Sequence, residues 1–307
     1  MLTTEERANL IKAARLYYED NLTQAEVAAQ MGVSRPQISK LLSRAREVGI
    51  VHIEICAPVE GDAELLKKLK RSFPIEGGIV LPSGTREETV GQCIDYLTAE
   101  LAYEKFIGIG WGMMLGELVK SMVPLAAKAS ADAIVFPLIG KVYSANVGYK
   151  SNDLVKMLAN GSGRKYFQLQ AEAFPDSAEA RAAIEETDNY LELAHLWRQM
   201  DAALLEIKPF PSVPDEGTAL RFEDALIRQH AVGSFLSYFF NCRGEFISGA
   251  GDFAVHAPKY ILSRCRKVIG VGIFSGPRAL AGAMRSGHIT HVVTTEDVAR
   301  KVLEQDL

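Results

Sequence analysis

The chain has 307 residues, 48% of them hydrophobic, and a formal net charge of −4. That length suits a small module joined to one large domain, with enough apolar residues for a sizeable core. The charge excludes a general basic field that would draw the whole molecule to nucleic acid, so any such contact needs a local patch.

The first patterned stretch starts at Thr3, which precedes Glu6 by three residues, as in a capping box. A helix is expected from there to about Tyr18, with Leu10, Ala13, Ala14 and Tyr17 as its apolar stripe. Thr23 and Glu26 repeat the box, and so do Ser34 and Gln37. Between them lies Met31-Gly32-Val33, a short turn whose glycine can take a positive φ. Pro36 stands in the first turn of the following helix, Arg35–Val48, where its missing N–H costs nothing. Ile38, Leu41, Leu42, Ala45 and Val48 follow the helical period and should face a core. The other side carries Arg35, Gln37, Ser39, Lys40, Arg44 and Arg46, with four basic residues and no acid between Arg35 and Arg46.

This is the pattern of a helix-turn-helix whose second helix enters the major groove of double-stranded DNA. Arg35, Gln37, Ser39 and Lys40 are expected to meet base edges, with Arg44 and Arg46 on the backbone. The capping residues Thr23 and Ser34 belong to the same candidate surface. Residues 50–55 alternate as a strand would, and Ala57-Pro58-Val59-Glu60-Gly61 reads as a boundary. The expected domains are therefore 1–57 for DNA binding and 58–307 for the rest.

Beyond the boundary, helical and strand patterns alternate. Helices are expected at about 62–72, 86–104 and 113–128. Short apolar strands are expected near Ile79–Leu81, Phe106–Gly110, Ala133–Ile139, Ala202–Ile207, Lys267–Ile273 and Ile289–Thr294. Repeated βα units argue for an α/β domain with a mostly parallel sheet covered on both faces. Ligands of such sheets bind in loops at the C-terminal strand ends. That rule nominates Gly110-Trp111-Gly112, then Lys141 with Asn152 at the next helix start. It also nominates Gly233-Ser234, before the aromatic run Phe235–Phe240, and Arg278 in Phe274-Ser275-Gly276-Pro277-Arg278. The aromatic run reads as one buried strand. Met113 stands where a dinucleotide loop would need its third glycine.

No catalytic set, metal site or cofactor motif emerges. His288 and His291 flank a strand start and do not share a helix face. Glu206, at a strand end, is the one acid placed for catalysis, and its neighbour Lys208 makes an ion pair an equal reading. Cys56, Cys93, Cys242 and Cys265 are widely spaced, without a CxxC pair, and read as buried thiols. No leader pattern opens the chain and no apolar run is long enough for a membrane, so a cytoplasmic location is expected.

The stretch LYYEDNLTQAEVAAQMGVSRPQISKLLSRAREVGIVHIEI resembles the SorC family of bacterial transcriptional regulators. IGIGWGMML, VFPLIGK, HAVGSFLSYFFNCRGEFI and AGAMRSGHITHVVTTEDVARKVL extend the resemblance along the chain. It implies a Rossmann-like effector domain similar to sugar-phosphate isomerase and CoA-transferase folds. It further implies a homo-dimer or homo-tetramer on an operator, and control by a sugar, a polyol or a phosphate derivative. The pocket loops depart from the family pattern. Met113 and Met114 replace its basic residue and threonine, Ser234 replaces its acid, and Lys141 replaces a glycine. The lost acid and the gained lysine point to a more anionic ligand. Two other readings stay open: a constitutive DNA-binding regulator with a vestigial pocket, and an isomerase-like enzyme.

Overall fold

The computed structural model of the protein describes residues 3–20, 22–51, 59–122, 132–142, 150–211, 218 and 221–304. The chain divides into two compact units, Met1–Ala57 and Pro58–Leu307.

The first unit holds α1 (Thr4–Ala14), α2 (Gln24–Met31) and α3 (Arg35–Glu47). Thr3 and Glu6 cap α1 reciprocally: the Glu6 N–H donates to Thr3 Oγ1 at 3.1 Å, and the Thr3 N–H donates to the Glu6 carboxylate at 2.7 Å. The helix does not run on regularly to Tyr18. Arg15–Glu19 forms a π-helical turn, closed by the Asp20 N–H on the Arg15 carbonyl at 3.0 Å. Nothing in the local sequence explains this widening. Gly32 ends α2 at φ +68°, as its place in the turn requires. Ala13, Val27, Ala28, Ile38 and Leu42 close into one small apolar cluster. The expected strand at 50–55 does not begin where anticipated, because the Ile50 and Val51 N–H groups both donate to the Ala45 carbonyl and finish α3. Its remainder, with His52, Cys56, Ala57 and Pro58, lies outside the described residues.

The second unit opens with α4 (Ala63–Ser72), β1 (Gly77–Leu81), α5 (Arg86–Leu101), β2 (Phe106–Ile109) and α6 (Met113–Ser121). The helix expected to reach 128 is described only to that point. There follow β3 (Ile134–Pro137), α7 (Ser151–Ser162), β4 (Lys165–Tyr166), α8 (Ala178–Glu185), α9 (Asp188–Arg198), β5 (Ala202–Glu206) and β6 (Lys208–Pro209). The remaining elements are α10 (Ala225–Arg228), β7 (Ala231–Phe235), β8 (Tyr238–Asn241), β9 (Phe246–Ile247), α11 (Lys259–Leu262), β10 (Lys267–Val271), α12 (Pro277–Arg285), β11 (His291–Thr295) and α13 (Glu296–Glu304).

Seven strands pair in the order β1-β11-β10-β5-β2-β3-β4, every pair parallel. Successive strand residues enter opposite cores. Ala203 and Leu205 of β5 join one cluster with Trp197 and Leu280, while Ala202 and Leu204 join another with Leu97, Leu118 and Leu158. The same alternation separates Val80 from Ile79 and Leu81, and Val292 from Val293.

Two strands at the centre set the place of any ligand. From β2 the chain leaves towards β3, and from β5 it leaves towards β10, although β2 and β5 are neighbours. Their C-terminal ends therefore form the crevice of a topological switch point.

A second, antiparallel sheet, β6-β7-β8-β9, was not anticipated. The aromatic run is two strands, not one. Leu236 and Ser237 make a tight turn between β7 and β8, with Leu236 at φ +54°. No Asn-Gly or Asp-Gly signal marks this turn in the sequence.

Candidate nucleic-acid and ligand sites

On the first unit, the two helices of the motif are fixed by their own start signals. The Glu26 carboxylate accepts from the Thr23 N–H and from the Thr23 hydroxyl, each at 2.7 Å. These bonds, the hydroxyl's first, hold the Glu26 pKa below the usual carboxylate value. At α3 the Gln37 side-chain oxygen accepts from the Ser34 N–H at 2.8 Å and the Ser34 hydroxyl at 2.9 Å. Thr23, Ser34 and Gln37 thus position the helices, and their side-chain oxygens are largely committed to doing so.

Ile38, Leu42 and Ala45 bury one face of α3, while Leu41 and Val48 are half-buried. Arg35, Gln37, Ser39, Lys40, Arg44 and Arg46 are all exposed. Arg44 pairs with Glu47 at 2.8 Å, with both side chains more than half exposed. Such a pair is worth at most about 1 kcal/mol, so a phosphate can displace it. Arg46 donates to the Ser43 hydroxyl at 3.2 Å. An open cleft of about 520 Å³ adjoins Arg35, lined also by Tyr17, Tyr18, Leu22, Thr23 and Gln24. The two tyrosine rings meet edge to face at 4.9 Å on the π-helical turn. The sequence reading passed over Tyr18, on the π-helical turn, and Gln24, at the start of α2, as neighbours of this cleft.

In the second unit the switch-point crevice collects part of the nominated set. The Gly110 N–H donates to the Leu204 carbonyl at 2.9 Å, joining the loop to β5. The Trp111 indole N–H donates to the Leu236 carbonyl at 2.6 Å. The Lys208 ammonium lies 3.4 Å from the centre of the Trp111 ring, a cation–π contact. Glu206 Oε2 accepts from the Met114 and Leu115 N–H groups at the start of α6, at 3.1 and 3.3 Å. Loss of water holds the Glu206 pKa above the usual carboxylate value, although Lys208 and those two N–H groups pull the other way. Gly112 has φ +143°, a conformation that favours glycine, and a Cβ there would collide with Glu206 Oε2.

Other nominated residues are engaged elsewhere. Lys141 Nζ donates to the Gln170 side chain at 2.9 Å, and its backbone pairs with that of Glu172 in an isolated β-bridge. Asn152 is tied to Leu169, donating to its carbonyl at 2.8 Å and accepting from its N–H at 3.2 Å. Gly233 lets β7 approach β6 and α12, since a Cβ there would meet the Lys208 carbonyl oxygen at 2.7 Å and Ala279 at 2.8 Å. Ser234 is buried and faces Lys208 in register. Arg278 is exposed in the first turn of α12.

The residues missed are Met114, Leu115 and Leu236, whose backbone groups tie the crevice together. The buried Arg221 was missed as well. It stacks 4.0 Å over Phe174 and pairs with Asp252 at 3.1 Å, and Phe174 packs in the same small cluster as Trp111. His288 and His291 keep separate local partners, Ser286 and Thr290. Cys93 and Cys265 are buried, and burial pushes the Cys265 thiol up to about 11.

Comparison with known proteins places both units. Residues 57–304 match the family model described as "Putative sugar-binding domain", and residues 12–48 match sigma-70 region 4. The sorbitol operon regulator of Klebsiella pneumoniae is 28% identical, over 96% of this chain and 97% of its own. The deoxyribonucleoside regulator of Bacillus subtilis is 25% identical, over 78% and 79%. The crystal structure of the full-length Klebsiella regulator superposes with a TM-score of 0.68 at 25% identity, covering 98% of this chain and all of that one.

Proposed function

The chain belongs to the SorC family of sugar-binding, helix-turn-helix transcriptional regulators, and from that premise we propose how it reads DNA and what controls it. It binds a double-stranded operator as a homo-dimer or homo-tetramer, with α3 of each head in a major groove. Arg35, Gln37, Ser39 and Lys40 meet base edges. Arg44, Arg46 and the start of α2 at Thr23 hold phosphates. A small carbohydrate-type effector in the switch-point crevice of residues 58–307 shifts the balance between arrangements of the heads, which requires that it bind one arrangement better. The protein works in the cytoplasm and needs no cofactor.

The observation that carries this reading is the exposed, acid-free face of α3 from Arg35 to Arg46, set on a buried Ile38–Leu42–Ala45 stripe. The test is fluorescence anisotropy of the full chain on DNA from upstream of its own operon, at moderate salt, with a panel of polyols, sugars and their phosphates. Specific binding altered by one compound is the expected result. Equal affinity for operator and random DNA would overturn the DNA reading.

A second reading, a constitutive regulator with a vestigial pocket, is favoured by one observation. The α6 start is already occupied by Glu206. Binding that is specific yet indifferent to the whole panel would select it. The enzyme reading draws only on the nearness of Glu206 to Lys208, whereas the relatives carry the names of regulators.

A further inference from the structure

The crevice between the ends of β2 and β5 contains a carboxyl group of its own. The first N–H groups of α6 have no partner within the helix, and they carry its positive end. In an open parallel sheet that place would receive a negative group of a ligand. Here Glu206 Oε2 accepts from two of these groups, at 3.1 and 3.3 Å. Gly112 admits it, and Lys208 supplies the compensating cation, its Cε only 2.9 Å from where a Cβ of residue 112 would be. Lys208 is held in turn over Trp111, which Leu236 anchors. The carboxyl group, the neighbouring cation and the glycine that lets them in all come from this chain.

We infer that Glu206 is the specificity-determining residue of the crevice. Its carboxyl group takes the place of a phosphate and restricts the effector to a polyhydroxy compound that carries none. The inference rests on the effector-binding reading above and narrows it. A phosphate entering here would have to displace a tethered carboxyl group that never leaves its vicinity. An uncharged polyol meets no such competitor. Its hydroxyls can donate to Glu206 and accept from Lys208.

Inorganic phosphate is the direct probe. Isothermal titration of the full chain compares wild type with Glu206→Ala and the isosteric Glu206→Gln, which carries the test if the alanine variant does not fold. Both variants should bind phosphate at least tenfold more tightly than wild type, alanine more than glutamine. Wild type binding phosphate as tightly as a folded variant would overturn the inference. A second arm sets matched polyols and their phosphate esters against the operator complex of the wild type. A polyol at least tenfold more potent than its ester supports the inference, and an ester of equal or greater potency sinks it. Silence from every compound overturns the effector reading instead, while the phosphate titration still decides what Glu206 does.

Discussion

The face of α3 and the switch-point crevice handle polar groups in opposite ways. On α3 the basic side chains stand in water over a five-residue apolar cluster, and the ion pair among them, Arg44 with Glu47, is exposed. In the crevice, Glu206, Lys208, Trp111 and Gly112 already satisfy one another. A surface built for a highly charged polymer can leave its cations to solvent and counterions, because phosphates displace both at small cost. A crevice for a small molecule cannot leave buried charge unpaired, so it satisfies itself first and its ligand must compete.

The contrast breaks most visibly at Ile38. It is fully buried in the small core under the basic face. Ile38→Ala should cost about 2–5 kcal/mol, a large share of what a unit this small can hold. Operator binding should be lost while calorimetric melting of the 58–307 unit stays put. A single shifted transition for the whole chain would show that the two units do not unfold independently.

Next in size is a pH effect confined to the second unit. His256 is packed 4.1 Å from the Tyr238 ring, and burial lowers its pKa from 6.5 to about 4. The folded state therefore resists protonation that the unfolded chain accepts at 6.5. Stability from this group is complete above pH 6.5 and is lost as pH falls towards 4, by an amount on the order of 3 kcal/mol. Denaturant titrations of wild type and His256→Gln across that window should diverge. Parallel curves would mean that His256 titrates alike in the folded and unfolded chain.

The smallest effects sharpen the division within α3 itself. Arg35→Ala should cost about 1–3 kcal/mol on the operator and relax base preference at one position. Arg44→Ala should weaken operator and random DNA alike and lower the salt slope by about one. If Arg35→Ala changed neither affinity nor preference, α3 would not lie in the groove as proposed.

How much was legible in the sequence follows the same division. The motif of the first unit is written in signals three residues apart, Thr23 with Glu26 and Ser34 with Gln37, and in one glycine with φ +68°. Local signals of that kind need no knowledge of the fold. The parallel sheet was legible in six of its seven strands, each a short apolar run, while the exposed pair Lys165-Tyr166 of β4 gave no such signal. The crevice was not. Glu206 reaches Met114 across 92 residues and Trp111 reaches Leu236 across 125, and no spacing rule links such pairs. The contact of Lys141 with Gln170, 29 residues away, was hidden for the same reason. The β7–β8 turn escaped because Leu236 adopts a positive φ without glycine or asparagine to announce it.

The alternation of β5 has one more consequence. Leu204 and Leu205 are adjacent in the chain and lie in separate apolar clusters, with the sheet as a wall between them. A void opened at Leu205 can be refilled only from its own side, by enlarging a residue of the same face such as Ala203. No added bulk at Leu204 will rescue it. Suppressor mutations in this protein should therefore sort by face of the sheet and not by distance along the sequence, and pairs drawn from opposite faces should combine additively.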